Sequence, residues 1–132
     1  MPGNFFDSNI LLCVASGVST KADIAEKLIG DGGEISVQVL NEISNVARRK
    51  MAMSWTETRS FLATLRGLLH VNPISIEIHE TGLALAERYN LPIHDAMIAA
   101  SAIESGCEKL WSEDFQDGIV LDGRLRIVNP FR

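Results

Sequence analysis

The chain has 132 residues, of which 46% are hydrophobic and 22% are charged, and its formal net charge is −5. This length suits one domain with a proper core, so we expect a single domain over residues 1–132. The negative charge excludes the basic surface of proteins that hold nucleic acid by charge alone. A nucleic-acid partner would therefore need cations between its phosphates and the acids of this protein.

Targeting signals are missing from the sequence. No apolar run approaches membrane-spanning length, and the N-terminus lacks the basic flank and apolar stretch of a signal peptide. Cys13 and Cys107 stand in apolar or small-residue surroundings without metal-ligand spacing. We interpret both as buried thiols in a reducing compartment, which predicts a cytoplasmic protein that does not associate with a membrane.

Apolar periodicity and turn signals divide the chain into short strands and helices. The predicted strands and extended segments are Phe5–Phe6, Glu34–Val37, residues 70–74, Lys109–Ser112 and Arg126–Asn129. The predicted helices are Asn9–Val14, one from Ser19 or Thr20 to Ile29, Gln38–Lys50, one from the N-cap Ser54 to about Leu68, Ile76–Tyr89, and one that carries Asp95 and ends at Ser105-Gly106. This alternation predicts an α/β fold with a mostly parallel sheet.

The most apolar stretch, Leu91–Ile103, is predicted to form a core helix. After Asp95 it is apolar or small on every side, and a helix without a polar face must be buried on every side. Asp95 itself falls in the first turn, where the helix dipole and free N–H groups favour an anion. Taken alone, Asp95 is explained as well by helix capping as by a functional role.

Three further acids stand where an apolar element ends or turns. Asp7 follows the first strand, Asp114 follows the strand 109–112, and Glu42 lies within a helix that follows a strand. Because sites in open parallel sheets form beyond the carboxyl ends of the strands, these acids and Asp95 can converge on one edge. Four clustered carboxylates repel one another unless cations neutralise them, and oxygen-only ligands favour Mg²⁺ or Mn²⁺. Hard ions in an acidic cleft suit phosphodiester hydrolysis.

Other carboxylate chemistries fit the pattern less well. A haloacid-dehalogenase-type phosphatase needs a second Asp two residues after the first, where this chain has Asn9. A receiver domain needs an acidic pair before the end of the first strand and a late Lys after Ser or Thr, and neither occurs. The absence of a Gly-rich phosphate loop disfavours nucleotide-triphosphate binding. A glycosidase pair is disfavoured by the predicted fold, although spacing alone leaves it open.

Four segments in order resemble the PIN domain family, and most of all its VapC-type toxins. They are Phe5-Phe-Asp-Ser-Asn-Ile-Leu, Val39-Leu-Asn-Glu-Ile, Leu91-Pro-Ile-His-Asp-Ala-Met-Ile-Ala-Ala and Leu110-Trp-Ser-Glu-Asp-Phe. The resemblance covers Phe5 to Val128. It implies a three-layer α/β/α sandwich with a central, mostly parallel sheet, and a Mg²⁺- or Mn²⁺-dependent ribonuclease.

The family's acidic site maps onto Asp7, Glu42, Asp95 and Asp114. By the same resemblance, the small polar positions that orient these acids are Ser8 or Asn9, and Ser112. Asp117 is either an outer acid or the cap of the turn at Gly118. The resemblance also implies an RNA substrate, a cognate antitoxin and a homodimer, for which apolar residues around 51–61 offer a surface.

Two alternatives to a toxin remain open: a PIN nuclease with a role in RNA processing, and a non-catalytic binding module whose acids cap helices. Other notable side chains are interpreted structurally. We expect His94 to pack or face solvent, Arg48 to Lys50 to complement the dipole at the end of their helix, and Trp55 and Trp111 to lie in the core.

Overall fold

The computed structural model describes residues 3–17 and 19–132. The strands are β1 (Asn4–Phe6), β2 (Glu34–Ser36), β3 (His70–Asn72), β4 (Lys109–Trp111), β5 (Val120–Leu121) and β6 (Leu125–Val128). The helices are α1 (Ser8–Ser16), α2 (Ser19–Gly30), α3 (Val37–Arg49), α4 (Trp55–Leu68), α5 (Ile76–Tyr89) and α6 (Ile93–Glu104). The described part of the chain contains no helix that is both long and apolar enough to span a membrane.

The strands form one sheet in the order β3-β2-β1-β4-β6-β5. All neighbouring pairs are parallel except β5–β6. With the helices packed on it, the sheet is the centre of a three-layer α/β/α sandwich, as predicted. The chain leaves β1 toward β2 and β3 and later returns to β4 on the other side of β1. The strand order therefore reverses between β1 and β4, the point at which open α/β sheets form their sites.

Helix α6 is buried as its composition predicts. Ala96 and every residue from Ile98 to Ile103 are at most 3% exposed. The helix contacts β2, β4 and β6 as well as α5, so it runs across the middle of the sheet. Gly82 of α5 permits this close packing, since a Cβ there would lie 2.6 Å from the Met97 sulfur. The burial of α6 fixes Asp95, in its first turn, relative to the sheet.

Local capping signals give the helix boundaries. The Ser54 hydroxyl accepts from the Glu57 backbone N–H, and the Glu57 carboxylate accepts from the Ser54 N–H, which is the predicted capping box of α4. Helix α3 begins one residue earlier than predicted, at Val37, because the Ser36 hydroxyl caps it by accepting from the Val39 N–H. Both cysteines are free and buried, as expected.

One strand was not predicted and one prediction is wrong. The unpredicted strand is β5, which has two residues and pairs antiparallel with β6 at the sheet edge. Trp55 does not lie in the core: it is 62% exposed at the first position of α4. Its ring is covered on one side by Arg48, whose guanidinium carbon lies 4.2 Å from the ring centroid. Trp111, in contrast, is partly buried and packs on the core.

Candidate metal-binding active site

Three of the predicted acids meet at the carboxyl edge of the sheet. Asp7 directly follows β1, Asp114 lies three residues after β4, and Asp95 is in the first turn of α6. One carboxylate oxygen from each residue lies within 4.8 Å of the others. Asp7 is buried, Asp95 is partly buried and Asp114 is exposed, so the cluster opens from the core towards solvent. These three carboxylates can hold a divalent metal ion.

Asp7 is the deepest member and is fixed by several hydrogen bonds. It caps α1, with its Oδ1 accepting from the Ser8 backbone N–H at 2.7 Å. Its Oδ2 accepts from the Ser112 hydroxyl at 2.6 Å and from the Asn9 side-chain amide at 3.3 Å. The Ser112 hydroxyl also accepts from the Asp114 N–H at 3.0 Å. One buried serine therefore orients both acids that follow the neighbouring strands β1 and β4.

Asn9 and Ser8 link the site to other elements. The side-chain oxygen of Asn9 accepts a hydrogen bond from the Glu113 backbone N–H at 3.2 Å, and this bond joins α1 to the loop after β4. The Ser8 hydroxyl donates to Glu42 Oε1 at 2.8 Å. All three predicted small polar residues, Ser8, Asn9 and Ser112, thus contact predicted acids or the loop that carries one.

Glu42 lies beside the group of three acids. Through Ser8 its carboxylate is tied to the cap of α1, and it lines the same cleft of about 750 Å³ as Asp114. It lies close enough for its charge to raise the pKa of both Asp7 and Asp95. The fourth predicted acid therefore belongs to the cleft and contributes to its negative potential.

Electrostatics in the cluster favour either protons or a cation. Burial, which two hydrogen bonds oppose and the charges of Asp114 and Glu42 reinforce, raises the pKa of Asp7 to about 7. Burial and the same two neighbouring charges raise the pKa of Asp95 to about 6. Since the donor set consists of carboxylate oxygens alone, it fits a hard divalent cation. Such a cation would replace the protons that the metal-free cluster retains near neutral pH.

Asp117 lies in the loop before β5. Its Oδ1 accepts from the Asn129 N–H at 2.8 Å, while the neighbouring Gly118 N–H donates to Ile127 O at 2.8 Å. These bonds tie the loop to β6 and to the residue that follows it. Within residues 3–17 and 19–132, Asp117 is outside the group of acids close enough to share an ion.

Several residues of the cleft had no place in the sequence-based site. Gln38, Asn41 and Asn45 of α3 line it, together with Lys50 and His94. His94 is exposed, as expected, and its Nδ1 lies 3.0 Å from the Gln38 side-chain nitrogen. The missed signal is the spacing of residues 38, 41, 42 and 45, which places polar side chains on the same face of α3 as Glu42.

Comparison with known proteins gives the family of the chain. The PIN domain model matches residues 5–116. The chain belongs to the PIN domain family. No curated protein matches the sequence significantly.

Solved structures share the fold at low sequence identity. A toxin–antitoxin complex from Klebsiella pneumoniae is 24% identical, with a TM-score of 0.75 over 97% of this chain and 98% of that chain. The sarcin-ricin loop cleaving toxin VapC20 of Mycobacterium tuberculosis is 16% identical, with a TM-score of 0.71 over 85% and 92% of the two chains. DNA-bound VapBC of Salmonella typhimurium is 18% identical, with a TM-score of 0.68 over 96% and 97%. This PIN protein therefore shares its fold with these toxin and toxin–antitoxin structures over 85% to 97% of its length.

Proposed function

We propose that this PIN protein is a Mg²⁺- or Mn²⁺-dependent endoribonuclease that cleaves RNA phosphodiester bonds. The observation that carries the proposal is the convergence of Asp7, Asp95 and Asp114 within 4.8 Å, at the point where the strand order reverses. Membership of the PIN family supports the same reading. So does the likeness in fold to a toxin described as cleaving the sarcin-ricin loop.

Asp7, Asp95 and Asp114 would hold the ion, with Glu42 beside them. When bound, a divalent ion supplies an acidified water for attack on phosphorus and positive charge for the phosphate oxygens. The Ser112 hydroxyl donates to one oxygen of Asp7 and the Ser8 N–H donates to the other, and both hydrogen bonds favour the ionised form of Asp7. The Ser8 hydroxyl directs Glu42 towards the cleft from the side of α3. These contacts hold Asp7 and Glu42 in place before any ion arrives.

We further propose that the protein is the toxin of a VapBC-type pair, is held inactive by a cognate antitoxin, and forms a homodimer. Support comes from the folds it resembles, which include a toxin–antitoxin complex and a VapBC assembly bound to DNA. Since the cleft is acidic, an inhibitory partner is expected to insert an Arg or Lys side chain in place of the ion. A PIN nuclease of RNA processing would share the chemistry and lack this partner, so the neighbouring reading frame distinguishes the two roles.

A test requires the protein purified free of any partner. With Mg²⁺ or Mn²⁺ it should cleave single-stranded RNA, and EDTA should stop cleavage. Asp114→Asn should abolish cleavage, because it removes a ligand of the ion. Since Asp114 is exposed, the substitution should leave folding intact. Glu87→Gln, which changes an exposed acid on α5, should cleave like the wild type. Cleavage that survives exhaustive chelation, or that Asp114→Asn leaves intact, would contradict the proposal.

A further inference from the structure

An exposed aromatic ring, that of Trp55, lies beside the C-terminal end of helix α3. This is the end of the helix that is farther from the sheet edge. Trp55 is 62% exposed, and the Arg48 guanidinium is stacked on it at 4.2 Å. Arg48 is itself fixed, since its Nη1 donates to Met53 O at 2.7 Å. The ring is thus held by a stacked cation while the rest of its surface faces solvent. An exposed indole offers a flat apolar surface on which a ring of a ligand can stack.

A continuous polar groove joins this ring to the acid cluster. Asn41 and Asn45 line both the cleft that contains Glu42 and Asp114 and an adjoining cleft that contains Trp55. The other residues of the adjoining cleft are Ser44, Arg48 and Arg49. From Asn41 to Arg48 the groove follows about two turns of α3, or about 10 Å. That length lies within the reach of a nucleic-acid strand bound at the acids.

The charge along the groove changes sign. Glu42 and Asp114 line one cleft, whereas Arg48 and Arg49 line the adjoining one; these two residues begin a run of three cations whose last member, Lys50, lines the cleft with the acids. In the part of the chain that the structure describes, the salt bridges are Lys21–Glu113 and Arg88–Asp122, and neither involves this run. Arg49 and Lys50 are exposed, and in an acidic protein they offer local positive charge to an anionic ligand.

We propose that single-stranded RNA follows this groove, with a base stacked on Trp55 and phosphates facing Arg49 and Lys50. The inference rests on the proposed function and adds the path of the substrate to it. Stacking on an aromatic ring is available to every base and tolerates sequence. The cations offset the repulsion between the acid-rich cleft and the phosphates, and the amides of Asn41 and Asn45 can donate to and accept from base edges.

A protein partner on the same surface is the competing occupant. The groove residues are amides, a hydroxyl, guanidinium groups and one indole, so charged and hydrogen-bonding groups that suit phosphates and base edges surround a single ring that suits a base. The groove also runs directly into the acid cluster, as a substrate path must. These two features favour RNA.

The first test measures binding of a short, labelled, single-stranded oligoribonucleotide by fluorescence anisotropy in Mg²⁺. The background is Asp114→Asn, which should not cut the probe. Adding Trp55→Ala should weaken binding by about tenfold, and Trp55→Phe should recover most of it, because both aromatic rings stack. Ile76→Ala, which truncates a 71% exposed side chain at the start of α5, is the matched control and should bind normally.

Salt dependence separates the roles of the ring and the cations. Arg49→Gln should reduce the slope of log affinity against log salt by about 0.7, the value for one phosphate contact on a single strand. Trp55→Ala should leave that slope unchanged, since it removes no charge. A defect caused only by misfolding would not divide the two variants in this way.

Unchanged affinity in Trp55→Ala would overturn the inference. So would a loss of oligomeric state in that variant by light scattering, which would assign the ring to a protein interface. An Asp114→Asn protein that binds no RNA would overturn it as well, even if the wild type cleaves. If the wild type fails to cleave RNA while the Asp114→Asn protein binds it through Trp55, the proposed function fails and the groove stands.

Discussion

Ionisation of Asp7 should govern how the stability of the metal-free protein depends on pH. Its carboxyl is 1% exposed, and its pKa rises from 3.8 to about 7 on folding. Each unit of difference between the folded and unfolded pKa is worth about 1.4 kcal/mol, so ionised Asp7 lowers the free energy of unfolding by about 4 kcal/mol. Domains of this kind are stable by only about 5–15 kcal/mol, so the effect is a large fraction of the total.

The direction follows from the raised pKa. Below pH 3.8 the carboxyl is protonated in both the folded and the unfolded chain, and the stability given by protonation is fully present. It is lost as the pH rises through about 7, where the folded protein must give up the proton. Of the total, about 3 kcal/mol falls between about pH 5 and about pH 8. Above pH 5 most exposed carboxylates are already ionised, so Asp7 should give the largest slope in this window and Asp95, with a pKa raised to about 6, a smaller one.

The assay is urea unfolding in EDTA at several pH values across this window. The wild type should lose stability as the pH rises, and Mn²⁺ should restore it at the upper end, because an ion that binds only the folded state stabilises it by mass action. Asp7→Asn should keep only the smaller slope due to Asp95 and should respond little to Mn²⁺. Glu87→Gln serves as the control with the wild-type slope. A wild type whose stability is flat or rises with pH, or an Asp7→Asn variant that falls as steeply, would refute the reasoning.

Three further predictions concern Asp95, Ser112 and Gly33. Asp95→Asn should melt no lower than the wild type in EDTA, gain less from Mn²⁺ and cleave poorly; an unchanged metal response with intact cleavage would show that Asp95 is only a helix cap. Ser112→Ala should weaken Mn²⁺ binding by about 10–100-fold in calorimetry, since it removes the hydroxyl that orients Asp7 and Asp114, and unaltered affinity would deny it that role. Gly33→Ala should lower the melting temperature, because a Cβ there would lie 2.9 Å from Asn4 O at a φ of +156°; a variant as stable as the wild type would show that the β1–β2 contact can relax.

The sequence predicted the acid cluster because the carboxyl ends of parallel strands share one edge. Asp7 and Asp114 follow β1 and β4, which pair in register from Asn4–Lys109 to Phe6–Trp111, so residues far apart in sequence lie together. Asp95 was predictable for a different reason. The apolar composition of α6 places this helix in the core, and Asp95 lies in its first turn. Periodicity alone could not place Glu42, whose position depends on how α3 packs beside α1 and on its bond to Ser8.

What the sequence did not predict depends on contacts between elements. An indole is interpreted as core by default, but Trp55 occupies the first position of α4, and only the packing of α3 shows that Arg48 covers its ring. Strand β5 has two residues and is defined by its pairing with β6 rather than by any alternation of its own. The groove along α3 likewise required the relative position of α3 and α4.

Asp7 shows why helix capping and metal binding are not competing explanations for these acids. As the N-cap of α1 it needs one oxygen, which accepts from the Ser8 N–H, and exposed Ser, Asn or Asp residues cap equally well. Capping therefore does not account for burying this carboxylate next to Asp95 and Asp114, an arrangement that raises its pKa and destabilises the metal-free fold at neutral pH. Capping fixes the direction of the carboxylate and leaves the second oxygen for Ser112 and for an ion. The free-energy cost of holding these ionised carboxylates together is offset only when positive charge enters the cluster.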